Sequence, residues 1–455
     1  MARLTLTSLG GAGTVTGSKH VLSHGGRRLM VDFGLFQGLK ALRLQNWRPL
    51  AVGPTQLDKV VLTHAHLDHS GYLPRLVHDG YGGDIVCTEA TADLCELLLL
   101  DSAKIQENDA EFANRHGFSK HRPALPLYGR RDAQRALEQL KPVAFGKTFD
   151  LGYGAHLTYR RAGHILGAAT AEIRWGGTTT VFSGDLGRYG DPLMPDPEPV
   201  EAADYVLVES TYGDRRHEPV DPGEVLATVV ERTSRRGGTV IIPAFAVGRA
   251  QELLYYFWRL KQAGRLGLVP IYLDSPMAID ASTMLARHPL DHRLSPSECR
   301  AACAVATYTR DVEESKALSA NTVPKVIISA SGMATGGRVL HHLKAYGPDP
   351  RNTVVFAGYQ AAGTRGEALL NGAREVKIHG QWIPVRAEVA NLPMLSAHAD
   401  VDEIMRWLGG FRSPPKRTFI VHGEPVAAQA LQQRIEADLG WKTTISEQDE
   451  PYVLA

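Results

Sequence analysis

Apolar residues in this chain fall into short β-rich runs, and run after run ends on a polar residue with chemistry to offer. Arg28-Leu29-Met30-Val31 leads to Asp32-Phe33-Gly34, and Lys59 to Thr63 leads into a cluster of histidines. Thr178 to Phe182 leads to Ser183-Gly184-Asp185, Tyr205 to Val208 to Glu209-Ser210, and, far along the chain, Thr418 to Val421 to His422-Gly423-Glu424. In layered α/β folds, ligands gather at the carboxyl ends of strands. The recurrence predicts that these ends meet in space although they are distant in sequence.

From about Glu209 to Asn371 the rhythm changes. Thr239 to Pro243 precedes a helical run, Arg249 to Leu260. Ile271-Tyr272-Leu273 precedes Asp274-Ser275-Pro276 and another helix. Lys325 to Ile328 precedes a glycine-containing turn, Ser331 to Arg338, and a helix through His341. Thr353 to Phe356 precedes Gly358-Tyr359-Gln360. Strand, turn and helix in repetition predict a parallel sheet with its own helices, read here as a second domain inserted into the first. Asp101 to Asp132 holds a helix followed by a proline-rich stretch, His121 to Pro126, expected to wrap the site as a loop.

Composition narrows the class. A chain of 455 residues is too long for one ordinary domain. With 44% apolar and 22% charged residues it has the balance of a soluble globular protein. The net charge of +1 provides no global basic field, so a polyanionic partner must be held by local Arg and Lys or by bound cations. No secretory signal is read at the N-terminus, and the densest apolar run, Leu97 to Leu100, stops at Asp101, so neither export nor a membrane partner is expected. Cys87, Cys95, Cys299 and Cys303 are few and scattered, which fits a reducing cytoplasm. Cys299 and Cys303 have the spacing of a metal half-site, but no second pair completes it, and they are read as buried or idle thiols.

The chemistry is concentrated in His64-Ala65-His66-Leu67-Asp68-His69, at the end of its apolar run. Imidazole and carboxylate together suit Zn²⁺. The spacing lets His64 and His66 point into one site while Asp68 and His69, past the turn, face a second ion, the kind of pair that performs hydrolysis. More ligands are needed, and His164 (in a turn after Ala162-Gly163), Asp185 and His422 stand where they could supply them. A carboxylate such as Asp185 can bridge ions about 3.5–4 Å apart. Singly, His164 or His422 would read as an ordinary hydrogen-bonded histidine. Beside the cluster they become ligand candidates.

The set His64-x-His66-x-Asp68-His69, His164 and Asp185, with Asp32 before it, resembles the metallo-β-lactamase signature. Glu209 in Glu-Ser-Thr-Tyr-Gly, His398 in Ser396-Ala397-His398-Ala399-Asp400, and His422 in Val-His-Gly-Glu resemble the three further motifs of the β-CASP nucleases. Pro243 to Arg249 and Ser331-Gly332-Met333 resemble parts of their inserted domain. The likeness covers nearly the whole chain and is strongest to the RNA-processing branch, similar to the endonuclease subunit of the cleavage and polyadenylation machinery and its prokaryotic relatives.

The resemblance implies an α/β protein: a metallo-β-lactamase αββα sandwich with an inserted β-CASP domain built on a parallel sheet flanked by helices. It implies residues 1–208 as the first part of the sandwich, 209–371 as the insertion and 372–455 as the completion. It implies two Zn²⁺ per chain, with Mn²⁺ or Fe²⁺ as substitutes: His64, His66 and His164 on one ion, Asp68, His69 and His422 on the other, Asp185 bridging, and Asp32 orienting the cluster. Asp68, Glu209 and His398 are the expected catalytic residues, with His398 as the acid, made more basic by Glu209. Arg249, Arg338, Arg365 and Ser396, in glycine-rich turns or near helix starts, are expected to hold RNA phosphates. The turn at Gly332 to Gly337 lacks the Lys-Ser or Lys-Thr of a nucleotide-binding loop. Family members often dimerise, which leaves a homodimer open.

The expected function is hydrolysis of RNA phosphodiester bonds in processing or decay, by an endonuclease with 5′-to-3′ exonuclease activity also open. A DNA nuclease of the same superfamily is the alternative; His422 stands against it, because the DNA branch usually carries an apolar residue at that motif. A non-catalytic RNA-binding scaffold is a third reading, opposed by the presence of every expected ligand type.

Overall fold

The computed structural model describes residues 3–117 and 119–454 and divides into two compact units, 1–216 with 398–455, and 217–397. The first unit holds two seven-stranded sheets. One runs, in spatial order, Pro451–Val453, Thr5–Gly10, Lys19–His24, Arg27–Val31, Lys59–Val61, Ile85–Cys87 and Leu140–Pro142. The other runs Thr443–Ile445, Arg417–Val421, Tyr205–Glu209, Thr178–Phe182, Ala169–Trp175, Ala155–Arg161 and Thr148–Gly152.

Alternation along the strands explains why these sheets stack. Leu6, Leu22, Leu29, Val31 and Val61 of one sheet and Leu157, Tyr159, Ile173, Phe182, Leu207 and Phe419 of the other form a single buried cluster. The neighbouring positions Val181, Val206, Val208 and Ile420 point the opposite way and pack on Ile404, Trp407, Leu408, Leu431 and Ile435. Those residues belong to the helices Val401–Leu408 and Pro425–Leu439, so period 2 in the strands meets the apolar stripe of the helices. Outside the first sheet, Arg130–Glu138 packs on both Leu73–His78 and Glu89–His116, and Glu89–His116 packs on Leu140–Pro142. This is the αββα sandwich expected of the sequence.

The second unit is built on six strands, in spatial order Thr307–Tyr308, Ile271–Leu273, Val326–Ser329, Val240–Pro243, Thr353–Ala357 and Glu388–Leu392. Every pairing is parallel. Val240, Ile242, Val326, Ile328 and Val355 face one helical layer, while Ile241, Ile327, Val354 and Phe356 face the other. Strands covered on both sides read as continuous apolar runs, as these do.

This unit extends beyond residue 371, where the sequence reading ended it. Glu388–Leu392 pairs with Thr353–Ala357 as a sixth parallel strand, after a hairpin of Glu375–Ile378 with Gln381–Pro384. It also begins later than 209, because Glu209 is the last residue of a strand in the first unit. The proline-rich stretch differs from expectation too. The helix before it spans 28 residues, capped by the Thr88 side chain and ended by left-handed Gly117. At 1.5 Å per residue it is roughly 42 Å long. Ala124 exchanges both backbone bonds with the Asn114 side chain near its far end, and Leu127 N–H donates to Gln106, so the stretch folds back on the helix. No described helix is long and apolar enough to cross a membrane.

Candidate metal centre

Five strand ends and two turns of the first unit deliver the site. Lys59–Val61 runs into the histidine loop, and residues 32–36 close over it: Phe33 N–H donates to His69 O, Leu35 N–H to Leu67 O, and Ser18 N–H to Asp68 O. The approach requires glycine, because a Cβ on Gly34 would lie 1.6 Å from Asp68 O. Gly187 plays the same part under His164, where a Cβ would lie 1.9 Å from Gly163 O. Two of the expected site residues adopt the left-handed backbone that non-glycine residues rarely take: Asp32 at φ 59° and His422 at φ 47°.

The side chains converge on Asp185. Donor atoms of His64, His66, His164 and Asp185 lie within 4.8 Å of one another, and so do those of Asp68, His69 and His422. Asp185 Oδ2 is 3.4 Å from His64 Nε2 and 3.6 Å from His164 Nε2. Its other oxygen, Oδ1, is 3.2 Å from His69 Nε2 and 3.7 Å from His422 Nε2. One carboxylate therefore turns an oxygen toward each cluster. His66 joins through Nδ1, 3.2 Å from His164 Nε2, and Asp68 Oδ2 lies 3.9 Å from His422 Nε2.

The opposite ring nitrogens are tied down. His69 Nδ1 is 2.7 Å from Asp32 Oδ2, His64 Nδ1 is 3.1 Å from Thr63 Oγ1, and His422 Nδ1 is 2.8 Å from Ser18 Oγ. Asp32 also accepts from the Thr63 N–H at 2.7 Å and its hydroxyl at 2.8 Å. Of these partners the sequence singles out Asp32 alone. Ser18 and Thr63 carry no pattern that singles them out, although Thr63 adjoins the cluster.

Buried atoms with unmet needs test the fit of a cation. His64 Nε2, His69 Nε2 and Asp185 Oδ1 are buried without a hydrogen-bond partner, an arrangement that is costly unless something else satisfies it. Burial holds His66 and His164 well below the usual imidazole range and His422 down at about 3, so their lone pairs are free of protons, as a metal ligand requires. Burial would raise Asp185, but the surrounding imidazoles more than reverse it and keep the carboxylate ionised. His69 differs: burial would lower it, but the Asp185 and Asp32 carboxylates hold it well above the usual range, so it would give up a proton to bind a cation. The donor set fits divalent cations. No cysteine takes part in any such cluster among the described residues.

A third cluster shares the same carboxylate: Asp185, Glu209 and His398. Glu209 is fully buried at its strand end and accepts the Leu186 N–H at 2.6 Å. Its two oxygens lie 3.2 and 3.1 Å from His398 Nδ1. Burial alone would lower His398, but the Glu209 charge and hydrogen bond outweigh it and hold the ring up at about 9. His66, Asp68 and His398 are half-buried, while His64, His69, His164, Asp185 and His422 are buried, so the first three form the open edge.

The residues expected to hold RNA are placed differently. Arg249, Arg338, Arg365 and Ser396 all belong to the second unit. Arg249 is buried against Glu252. Arg338 donates to Asp274 Oδ1 at 2.6 Å and to the carbonyls of Thr309 and Arg310. Arg365 donates to the carbonyls of Lys377, Ala334 and Thr335. Arg338 and Arg365 brace the loops of their own unit, while Arg249 pairs within its own helix, uses that glycine-rich turns do not reveal in sequence. Ser396 is buried two positions before His398.

Comparison with known proteins agrees with this geometry. Residues 15–237 match the metallo-beta-lactamase superfamily, 250–369 the Beta-Casp domain, and 382–446 the Zn-dependent metallo-hydrolase RNA specificity domain. Ribonuclease TTHA0252 of Thermus thermophilus is 39% identical over 438 residues, covering 94% of this chain and 95% of that protein. Transcription termination factor FttA of Methanosarcina mazei is 31% identical over 464 residues, covering 96% of this chain and 70% of that protein. A solved Enterococcus faecalis V583 protein of unknown function shares the fold, with a TM-score of 0.54 at 12% identity over 99% of this chain and all of that one. With the His/Asp clusters where the strands end, these matches establish that the chain belongs to the metallo-β-lactamase superfamily, in its β-CASP family.

Proposed function

We propose that this protein is a metal-dependent hydrolase that cleaves RNA phosphodiester bonds, in processing, decay or termination of transcripts. The observation that carries the reading is Asp185, whose two oxygens each face a separate cluster of ligand atoms. His64, His66 and His164 would hold one Zn²⁺, and Asp68, His69 and His422 a second, with Asp185 shared. Bound divalent ions would lower the pKa of water toward neutrality and offset the charge of a scissile phosphate.

The chain's own groups do the rest. Asp32, Thr63 and Ser18 fix the orientation and tautomer of three ligand rings before anything binds. Glu209 holds His398 by Nδ1, and its charge favours the protonated ring. Nε2 is then the nitrogen that delivers a proton to the departing oxygen of the cleaved strand. Holding that carboxylate fully buried, with backbone N–H groups on both oxygens, spares it from competing for the cation positions.

The test is metal analysis of the purified protein, together with cleavage of end-labelled RNA and a DNA of the same sequence, with and without chelator. Metal-dependent cutting of RNA in preference to DNA is expected, and Asp68→Ala is expected to abolish it while remaining folded by circular dichroism. Equal activity on DNA would move the reading to the DNA nucleases. Full activity of Asp68→Ala would overturn the ligand assignment.

A further inference from the structure

We propose that residues 37–49 of the first unit form a binding surface for single-stranded RNA beside the metal centre. Lys40, Arg43 and Arg48 would take the phosphates and Trp47 would stack on a base. The proposal deepens the RNA reading above and rests on it.

The sequence isolates this segment by charge. No Asp or Glu occurs from Phe33 to Leu57, while Lys40, Arg43 and Arg48 do. None of the three has an ion-pair partner among the described residues. Unpaired exposed arginines occur elsewhere in the first unit, among them Arg131, Arg174 and Arg417, so what marks this segment is that its three cations flank an exposed indole in a stretch without a carboxylate. Unpaired cations hold full charge toward a polyanion, and phosphate contacts are the main source of nucleic-acid affinity.

Local structure arranges them on one side. The helix Lys40–Gln45 contains no buried residue. Its turns continue beyond Gln45 through Asn46 N–H to Arg43 O, Trp47 N–H to Leu44 O and Arg48 N–H to Gln45 O. Positions 40, 43, 44 and 47 therefore share a face. Leu44 is 53% and Trp47 56% exposed, so this face is turned to solvent. An indole in water, flanked by unpaired cations, is what stacking on nucleobases in a single strand uses.

The segment is held in place rather than loose. The Asn46 amide bridges Phe36, accepting its N–H at 2.9 Å and donating to its carbonyl at 2.8 Å, and the Tyr72 hydroxyl donates to Asn46 O at 2.9 Å. Phe36 directly follows Leu35, whose N–H is bonded to Leu67 O within the histidine loop. The surface is thus tied, through Phe36 and Leu35, to the loop that carries His64 to His69. The competing occupant is a second copy of the chain. A two-fold contact through this patch would set Lys40, Arg43 and Arg48 against the same cations of the other copy, with no carboxylate in the segment to pair them.

The test uses the full-length protein in EDTA, so that binding is read without cleavage, and a labelled oligouridylate as probe. Trp47→Ala is expected to weaken binding about tenfold and Trp47→Phe to preserve most of it, since stacking tolerates another aromatic ring. The triple variant Lys40→Gln, Arg43→Gln, Arg48→Gln is expected to flatten the slope of log affinity against log salt by about 2, at about 0.7 per single-strand phosphate contact. Hydrolysis of bis(p-nitrophenyl) phosphate by the metal-loaded variants should be unchanged, because none of these four side chains belongs to the metal centre. Wild-type affinity and salt slope in both variants would overturn the proposal, as would a change in sedimentation with RNA affinity intact, which would assign the patch to self-association. The two readings fail separately. RNA cleavage with an indifferent patch removes only the surface, and patch-dependent binding without cleavage removes only the nuclease.

Discussion

At the scale of single residues, the centre depends on which way each ring is turned. His398 contacts Glu209 through Nδ1, with 18% of its side chain exposed beside the buried Asp185. A proton donor matters when the leaving oxygen develops charge, so its loss acts on the transition state more than on binding. His398→Ala is expected to lower kcat by about 10²–10⁴-fold with RNA affinity little changed; parallel losses in both would give His398 a binding role instead. Ser18 makes a second case. Its hydroxyl meets His422 Nδ1 across 404 positions of sequence and is buried. Ser18→Ala frees that ring to turn and should weaken metal binding at the Asp68, His69 and His422 cluster by about 10–100-fold, the cost of losing such an outer partner. Titration calorimetry with Zn²⁺ would show one affinity falling and the other holding. Ser8→Ala, which removes a buried hydroxyl from His20 instead, is the control and should move neither. The ligand types were legible because they are chemically unusual and densely spaced. Ser18 was not, since a serine gains its meaning only from a ring brought beside it by folding. Nor does sequence reveal that Asp32 and His422 hold left-handed backbone, for neither is a glycine.

At the scale of elements, the rule that ligands gather at strand ends located Asp32, Asp185, Glu209 and His422, because a buried strand must be apolar until it leaves the sheet. The same rule picks out Asp274, after Ile271–Leu273 in the second unit, where it has a different use. Its carboxylate accepts from Arg338 at 2.6 Å, from His342 Nε2 at 2.7 Å and from the Ser315 hydroxyl at 2.5 Å, with no exposure to solvent. Burial would raise its pKa, but these bonds hold it below the usual range. The strand end is thus a structural hub joining the helices Val312–Ala320 and Val339–Tyr346, and sequence alone does not separate a hub from a site. Asp274→Ala would leave Arg338 without its counter-charge and His342 Nε2 without its hydrogen-bond partner, at a cost of about 3–5 kcal/mol. Hydrogen exchange should quicken across residues 325–346 in that variant, and unchanged protection there would deny Asp274 this role. Where elements were misjudged, pairing was the reason. Glu388–Leu392 is short and mixed in polarity, with only Leu392 buried, so it lacks the apolar run that marks its neighbours in the sheet. Only its partner Thr353–Ala357 makes it a strand.

At the scale of the molecule, the first unit is closed by the last part of the chain. Pro451–Val453 pairs with Thr5–Gly10, and His422 arrives from the same segment to complete a cluster begun at Asp68. The resemblance of the motifs implied this return because the metal centre needs ligands from both sides of the insertion; periodicity alone did not. A centre that exists only when the two parts of the unit are assembled couples metal binding to folding. Ligand that binds the native state alone stabilises it by about 2.7 kcal/mol at one hundred times its Kd. In a domain of this size, each kcal/mol moves Tm by roughly 2–4 °C. Chelation should therefore lower the Tm of the first unit by about 5–10 °C, and added Zn²⁺ should restore it. Asp185→Ala removes the oxygen shared by both clusters, so its Tm should no longer respond to metal. Scanning calorimetry of wild type and variant, each with Zn²⁺ and with EDTA, checks both statements. An equal metal response in the variant would mean that the ions are held somewhere other than around Asp185, and the convergence of strand ends on that carboxylate would lose its functional meaning.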